Sequence, residues 1–578
     1  MKNTAARIAG GSLAALLVLV SCVKTETSGK GQVHPSAGGV YGFWQGRELV
    51  LPPQFLGISW SKREAQAALR ALDDEEILAQ LFMVGYPGKA PSTELVTWIQ
   101  KRGIGGVKIF GWNAEDTEIL SATIASLQGS ALGSEKGIPL LVATDQEGGW
   151  IRHVKGRTSE SPGNMALGAV GSSLDAYWAG YFIGKELALL GIRMNFAPVV
   201  DLATDPSSEI IGPRAFSDDP ALVGRLGLAF ARGTLAAGVI PTAKHFPGHG
   251  ATPLDSHGIL PEISIDLDTL RNRELSPFAY LSDHRVPAVM SGHLSFPKIS
   301  GFGSPASLSR DIIHGELRGF LGFEGLVITD DLYMSGASGE LSITETCEKA
   351  IRAGNDMLLL SVTPEVDGAL WRHLLNLYRE DREFATQVRE AATRVLEAKI
   401  AYLKPLGPKA LIPSPESARA RLPNLEAKVF FADLARRSAT LIQGKGALPF
   451  KPEGKVLLAG AYDRFLALGL KAYPGAQTMK IRSPGQLEEF IRRMGQVDAV
   501  VLCISSESHR AFAYAARDKG LPLAVVSVLS PYRARDLEFA TAIVAVYHFA
   551  EICLAAGFEV LEGKLSPRGI LPIDMEGR

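Results

Sequence analysis

The chain has 578 residues, 46% of them apolar and 21% charged. This globular composition excludes a wholly disordered or fibrous protein, and at roughly 100–200 residues per domain it allows two to four domains, or one large barrel with a smaller partner. Lys and Arg number 60 against 61 Asp and Glu, a net charge of -1, so there is no global basic field and no nucleic-acid partner is expected.

The first 22 residues carry Lys2 and Arg7, then an apolar run from Leu13 to Val20, too short to span a bilayer. The run ends Leu19-Val20-Ser21-Cys22. This resembles a bacterial lipoprotein signal, which implies cleavage after residue 21, a lipid on Cys22, and an extracytoplasmic, membrane-tethered chain. Residues 22–60, rich in Gly, Ser, Thr and Pro at first, suit a linker. The other cysteines, Cys347, Cys503 and Cys553, lie in apolar runs and read as small buried hydrophobes. No CxxC pair supports a zinc site or a disulfide framework.

From residue 62 the pattern alternates. Apolar runs at 81–86, 106–111, 140–145, 193–201, 239–245, 287–293, 326–331 and 356–361 read as eight strands. Helical stretches separate them, such as Glu115–Ala131, Leu174–Leu190 and Pro220–Ala237, after an amphipathic Lys62–Gln80. Continuous apolar strands alternating with helices predict a parallel sheet covered on both faces. Eight such units over residues 61–403 fit a (β/α)8 barrel, with an open doubly wound sheet as the competing α/β architecture. A Pro-rich segment, 404–425, reads as a linker, and strand-like runs at 455–462, 498–505, 521–530 and 541–549 predict a smaller α/β sandwich over 426–578.

Active sites of such barrels lie at the C-terminal ends of the strands. Here the third strand ends at Asp145, the fifth at Lys244-His245, the sixth at His293 and the seventh at Asp330-Asp331. The segment Lys244–His257 is densest, with His249 and Asp255-Ser256-His257 besides. Its histidines fit no compact metal signature, which favours acid–base chemistry. In an extended stretch Asp255 and His257 would face the same side, so the carboxylate could fix the imidazole tautomer.

The run KHFPGHGATPLDSH (244–257) resembles the signature of glycoside hydrolase family 3 β-N-acetylglucosaminidases. The resemblance continues through DQEGG (145–149), NFAPVVDL (195–202), IGPRAFSDDP (211–220), SGHLSFP (291–297) and GFEGLVITDDLYM (322–334), and GKLSPRGILPIDM (563–575) is similar to the family's closing motif. It implies Asp330 as nucleophile, His257 as general acid/base and Asp255 as its orienting partner. It implies Asp145, Arg214, Lys244 and His245 as sugar ligands, and no cofactor or metal. Asp331 reads as a structural acid. The implied activity is retaining hydrolysis of terminal β-linked N-acetylglucosamine, from glycans such as peptidoglycan fragments (muropeptides). A phosphorylase or β-glucosidase of the same family, and a non-catalytic wall-binding lipoprotein, are the rivals. One departure stands out. Where the family reads Arg-Val and then another Arg, this chain has Trp150-Ile151-Arg152-His153, so Arg152 is the candidate to compensate.

Overall fold

The computed structural model describes residues 58–576 except Phe302. The lipoprotein reading of Cys22 and nearly all of the 22–60 linker fall outside the described residues.

Eight parallel strands form the first sheet: β1 (Phe82–Val84), β2 (Gly106–Ile109), β3 (Leu141–Thr144), β4 (Met194–Asn195), β5 (Ile240–Phe246), β6 (Ala288–Ser291), β7 (Leu326–Thr329) and β8 (Leu358–Leu360). Their order is β8-β1-β2-β3-β4-β5-β6-β7, and an isolated parallel bridge, Ile328 to Met357, joins β7 to β8. The result is a nearly closed barrel. Its strands are largely apolar because each has two buried faces. Leu359, Met290, Ile328 and Ala143 fill the interior, while Leu358, Leu360, Val289 and Val327 alternate outward onto the helices.

The fourth strand is shorter than its apolar run. Pro198 offers no N–H to a ladder, and pairing resumes only as a bridge between Val199 and Lys244. The amphipathic stretch after residue 57 is two helices, Ile58–Arg70 and Asp74–Ala79. Asp73 breaks the run by capping the second, in a reciprocal box with Glu76. The helices Ser173–Leu189 and Pro220–Ala236, which flank β4, pack closely because Gly180 faces the Phe230 carbonyl and Gly233 the Tyr177 carbonyl.

Residues 404–425 carry short helical turns rather than open chain. Leu411, Ala418 and Leu422 are buried, and Arg419 pairs with Glu118. A six-stranded sheet follows: β9 (Thr440–Gln443), β10 (Val456–Gly460), β11 (Gln477–Lys480), β12 (Ala499–Ile504), β13 (Leu523–Ser527) and β14 (Ala542–Ala545). The order is β9-β14-β13-β12-β10-β11, with only β9 antiparallel to its neighbour. Apolar layers cover both faces. A separate cluster joins this domain to the barrel: Tyr532, Ala545, Tyr547 and Ile573 pack on Met165, Ile211 and Ala215.

Candidate active site

The barrel's C-terminal rim gathers a charged cluster from four strands, β2 to β5, and the segments that follow them. Asp145, just past β3, receives Lys244 Nζ from β5 at 2.5 Å on one oxygen and Lys108 Nζ from β2 at 2.5 Å on the other. Lys244 also meets Glu147 at 2.6 Å. Glu147 takes both Nε (2.9 Å) and Nη2 (2.7 Å) of Arg214, a bidentate pair buried on both sides. Arg214 Nη2 lies 3.3 Å from His245 Nε2. His245 Nδ1 donates to Asp201 at 2.6 Å, which leaves Nε2 to accept from the guanidinium.

Electrostatics hold the carboxylates of this cluster ionised. Burial alone would raise the pKa of Asp145, but Lys108 and Lys244 outweigh it and keep the carboxyl well below the usual range. Burial likewise opposes ionisation of Glu147, and Arg214 and Lys244 reverse it. Asp201 sits at about 2, burial being overcome by His245. Burial lowers Lys108, with Asp145 pulling the other way.

Asp330 follows β7. Its Oδ1 accepts the Asp331 N–H at 2.8 Å, and among the described residues nothing hydrogen-bonds its other oxygen. Burial would raise its pKa, but His293, His245 and Lys244 bring it below the ordinary value. Asp331 serves the backbone instead. Its carboxylate accepts N–H groups of Ser361 (3.0 Å) and Tyr333 (3.2 Å), and its carbonyl accepts His293 Nε2 at 3.0 Å.

Asp255 and His257 stand apart from the cluster. They pair at 2.7 Å between Oδ1 and Nδ1, on a loop where the His257 side chain is 70% exposed. The pairing does not come from an extended segment. Residues 256–258 are a turn, and the same Asp255 oxygen caps it by accepting the His257 backbone N–H at 3.0 Å. With Nδ1 committed, Nε2 is left to exchange a proton. Burial of Asp255 is outweighed by these His257 bonds, so its carboxyl is lowered. The loop is fastened to the segment after β7 by Gly336 N–H to Ser256 O, 3.1 Å.

A scan against family models matches residues 73–398 to the glycosyl hydrolase family 3 N terminal domain. The chain belongs to glycosyl hydrolase family 3. It is 32% identical to beta-hexosaminidase A of Pseudoalteromonas piscicida over 387 residues, 63% of this chain and 63% of that relative's length. It is 34% identical to the beta-hexosaminidase of Bordetella avium over 279 residues, 47% of this chain and 77% of the relative. A solved family 3 beta-N-acetylglucosaminidase from Paenibacillus superposes with a TM-score of 0.79 at 30% identity, over 87% of this chain and 99% of the other.

For this family 3 chain, sequence reasoning missed Lys108, Glu147 and Asp201 as members of the cluster. Arg152 does not compensate for the altered residues after DQEGG. It turns away, with Nη1 to Thr158 O at 3.3 Å and Nη2 3.7 Å from Glu160. The second cation on Asp145 is Lys108, with His153 Nδ1 beside it at 3.3 Å. Burial and Lys108 lower His153 to about 4, so it is neutral and can accept. A lysine inside the apolar run GVKIFG was the available signal. His249 is buried against His245 with neither ring nitrogen bonded among the described residues.

Proposed function

We propose that this chain is a retaining exo-β-N-acetylglucosaminidase acting on terminal β-linked N-acetylglucosamine. The observation that carries the reading is Asp330, an ionised carboxylate with one oxygen free, at a strand end beside a cluster rich in donors and acceptors for sugar hydroxyls. The names of the relatives support the substrate class. The free Asp330 oxygen attacks the anomeric carbon, and His257 Nε2 protonates the departing glycosidic oxygen. Water then attacks the glycosyl-aspartate from the same side, giving its proton to His257, so the configuration is retained. Asp255 accepts the Nδ1–H in both steps, so Nε2 is the nitrogen that gives up a proton in the first and takes one in the second. Lys244 spends two of its three N–H donors on Asp145 and Glu147, and the third is left for the sugar. The natural substrates in this reading are peptidoglycan fragments.

Asp330→Asn should abolish covalent trapping by a fluorinated glycosyl inactivator and lower turnover on aryl N-acetylglucosaminides by about 10³ or more. Trapping that survives in Asp330→Asn but vanishes in Asp331→Asn would move the nucleophile by one residue. The lipoprotein-like run that ends at Cys22 supports a lipid-tethered enzyme outside the cytoplasm. Cys22→Ser should then release active enzyme from membranes, and a variant still sedimenting with membranes would rule out Cys22 as the anchor.

A further inference from the structure

Exposed tryptophan is costly, because a large apolar surface is left in water. Trp112 is 47% exposed and Trp150 36%. They lie on the loops after β2 and β3. Leu254 and Ile259 after β5, Tyr333 after β7 and Val362 after β8 are exposed as well. All six therefore belong to the face of the barrel that holds the charged cluster.

Trp112 is also fixed in place. Its indole N–H donates to Tyr86 O at 2.9 Å. Its ring stacks on Phe110 with centroids 4.5 Å apart and planes within 7°. The turn beneath it is closed by Asn113, whose side chain accepts the Phe110 N–H at 2.8 Å and donates to Tyr86 O at 3.0 Å. Phe110 lies 4.6 Å from Lys108 Nζ, which binds Asp145. A continuous stack thus runs from the charged cluster to an indole face open to solvent. Held so, the indole loses little entropy when a flat apolar surface settles on it. The C–H face of a pyranose is such a surface.

We propose that Trp112 is the stacking platform for the second pyranose ring of the substrate, on the leaving-group side. The chain is then built for oligosaccharides of β-linked hexosamines rather than for hexosaminides of small aglycones. This rests on the glycosidase reading above.

The test compares two substrates on the full chain: N-acetylglucosaminyl β-fluoride, with no ring on the leaving side, and N,N′-diacetylchitobiose. Trp112→Ala should lower kcat/KM on the disaccharide at least about tenfold more than on the fluoride, and Trp112→Tyr should recover most of that ratio. In an Asp330→Asn background, disaccharide should change the indole emission, and Trp112→Phe should remove the change. Equal losses on both substrates, or an emission change that persists in Trp112→Phe, would overturn the platform with the glycosidase intact. If the unsubstituted chain cleaves neither substrate, the glycosidase reading fails and takes the platform with it.

Discussion

A buried ammonium in the middle of a strand survives only where its donors are all engaged. Lys108, 1% exposed, meets that condition through Asp145, the Ile109 carbonyl at 3.2 Å and His153. No donor is left for substrate, so Lys108 acts by holding Asp145. Lys108→Met should raise KM for N-acetylglucosaminides more than it lowers kcat, and should cost about 3–5 kcal/mol of stability by leaving a buried carboxylate half neutralised. His153 Nδ1 lies 3.7 Å from Asp145 Oδ2, so adding His153→Arg brings a guanidinium to the same oxygen. That double variant should recover KM; a KM that stays high would show that Lys108 does more than supply charge. Such residues were hard to read beforehand. Asp145, Lys244 and His245 stand at strand ends where chemistry is expected, and Asp330 likewise. Lys108 lies within a strand, and Glu147 and Asp201 sit inside motifs whose other members drew attention. Their meaning comes from partners 37, 67 and 44 positions away in sequence.

The elements themselves were legible where burial is two-sided. Seven barrel strands lie within their apolar runs and β5 overruns its own by one residue, because a strand covered by helices on one side and by the barrel interior on the other can carry few polar side chains. The edge strands β9 and β11 escaped notice for the converse reason. Thr440–Gln443 and Gln477–Lys480 each have only one fully buried residue, so they show no apolar run. Loops are the least legible, since their register depends on contacts between them. Gly336 is such a contact. A Cβ there would sit 2.6 Å from Ser256 O and 3.0 Å from Ile259 O, both backbone atoms. Gly336→Ala should therefore displace the loop carrying Asp255 and His257 while leaving the barrel intact. If that loop supplies the proton as proposed, natural disaccharides should slow more than aryl glycosides with good leaving groups, which need little protonation. Equal slowing on both substrates, or none, would separate the loop from proton transfer.

The two domains meet behind the segment that carries Arg214. Arg214 ends the turn Gly212–Arg214, whose flanks Ile211 and Ala215 pack on Tyr532 and Tyr547 of the second domain. Tyr532 O–H donates to Ala203 O at 3.3 Å, and Arg533 pairs with Glu209 at 2.9 Å. The closing segment adds Ser217 O–H to Pro572 O at 2.5 Å and Asp574 N–H to Asp218 at 2.6 Å. The second domain thus braces the segment that aims Arg214 at Glu147. Tyr532→Ala would open a cavity behind that segment, at a cost of about 3–5 kcal/mol, and the loosened guanidinium should raise KM for N-acetylglucosaminides. Tyr532→Phe keeps the ring and should keep KM. Arg437→Ala supplies the comparison, since it breaks a different contact between the domains, the bidentate pair with Asp175 at 2.7 and 2.8 Å. Both alanine variants should melt at lower temperature, but only Tyr532→Ala should bind substrate more weakly. A KM that rises equally in both would reduce the brace to general stability, and a KM unmoved in either would leave the Arg214 turn independent of the second domain.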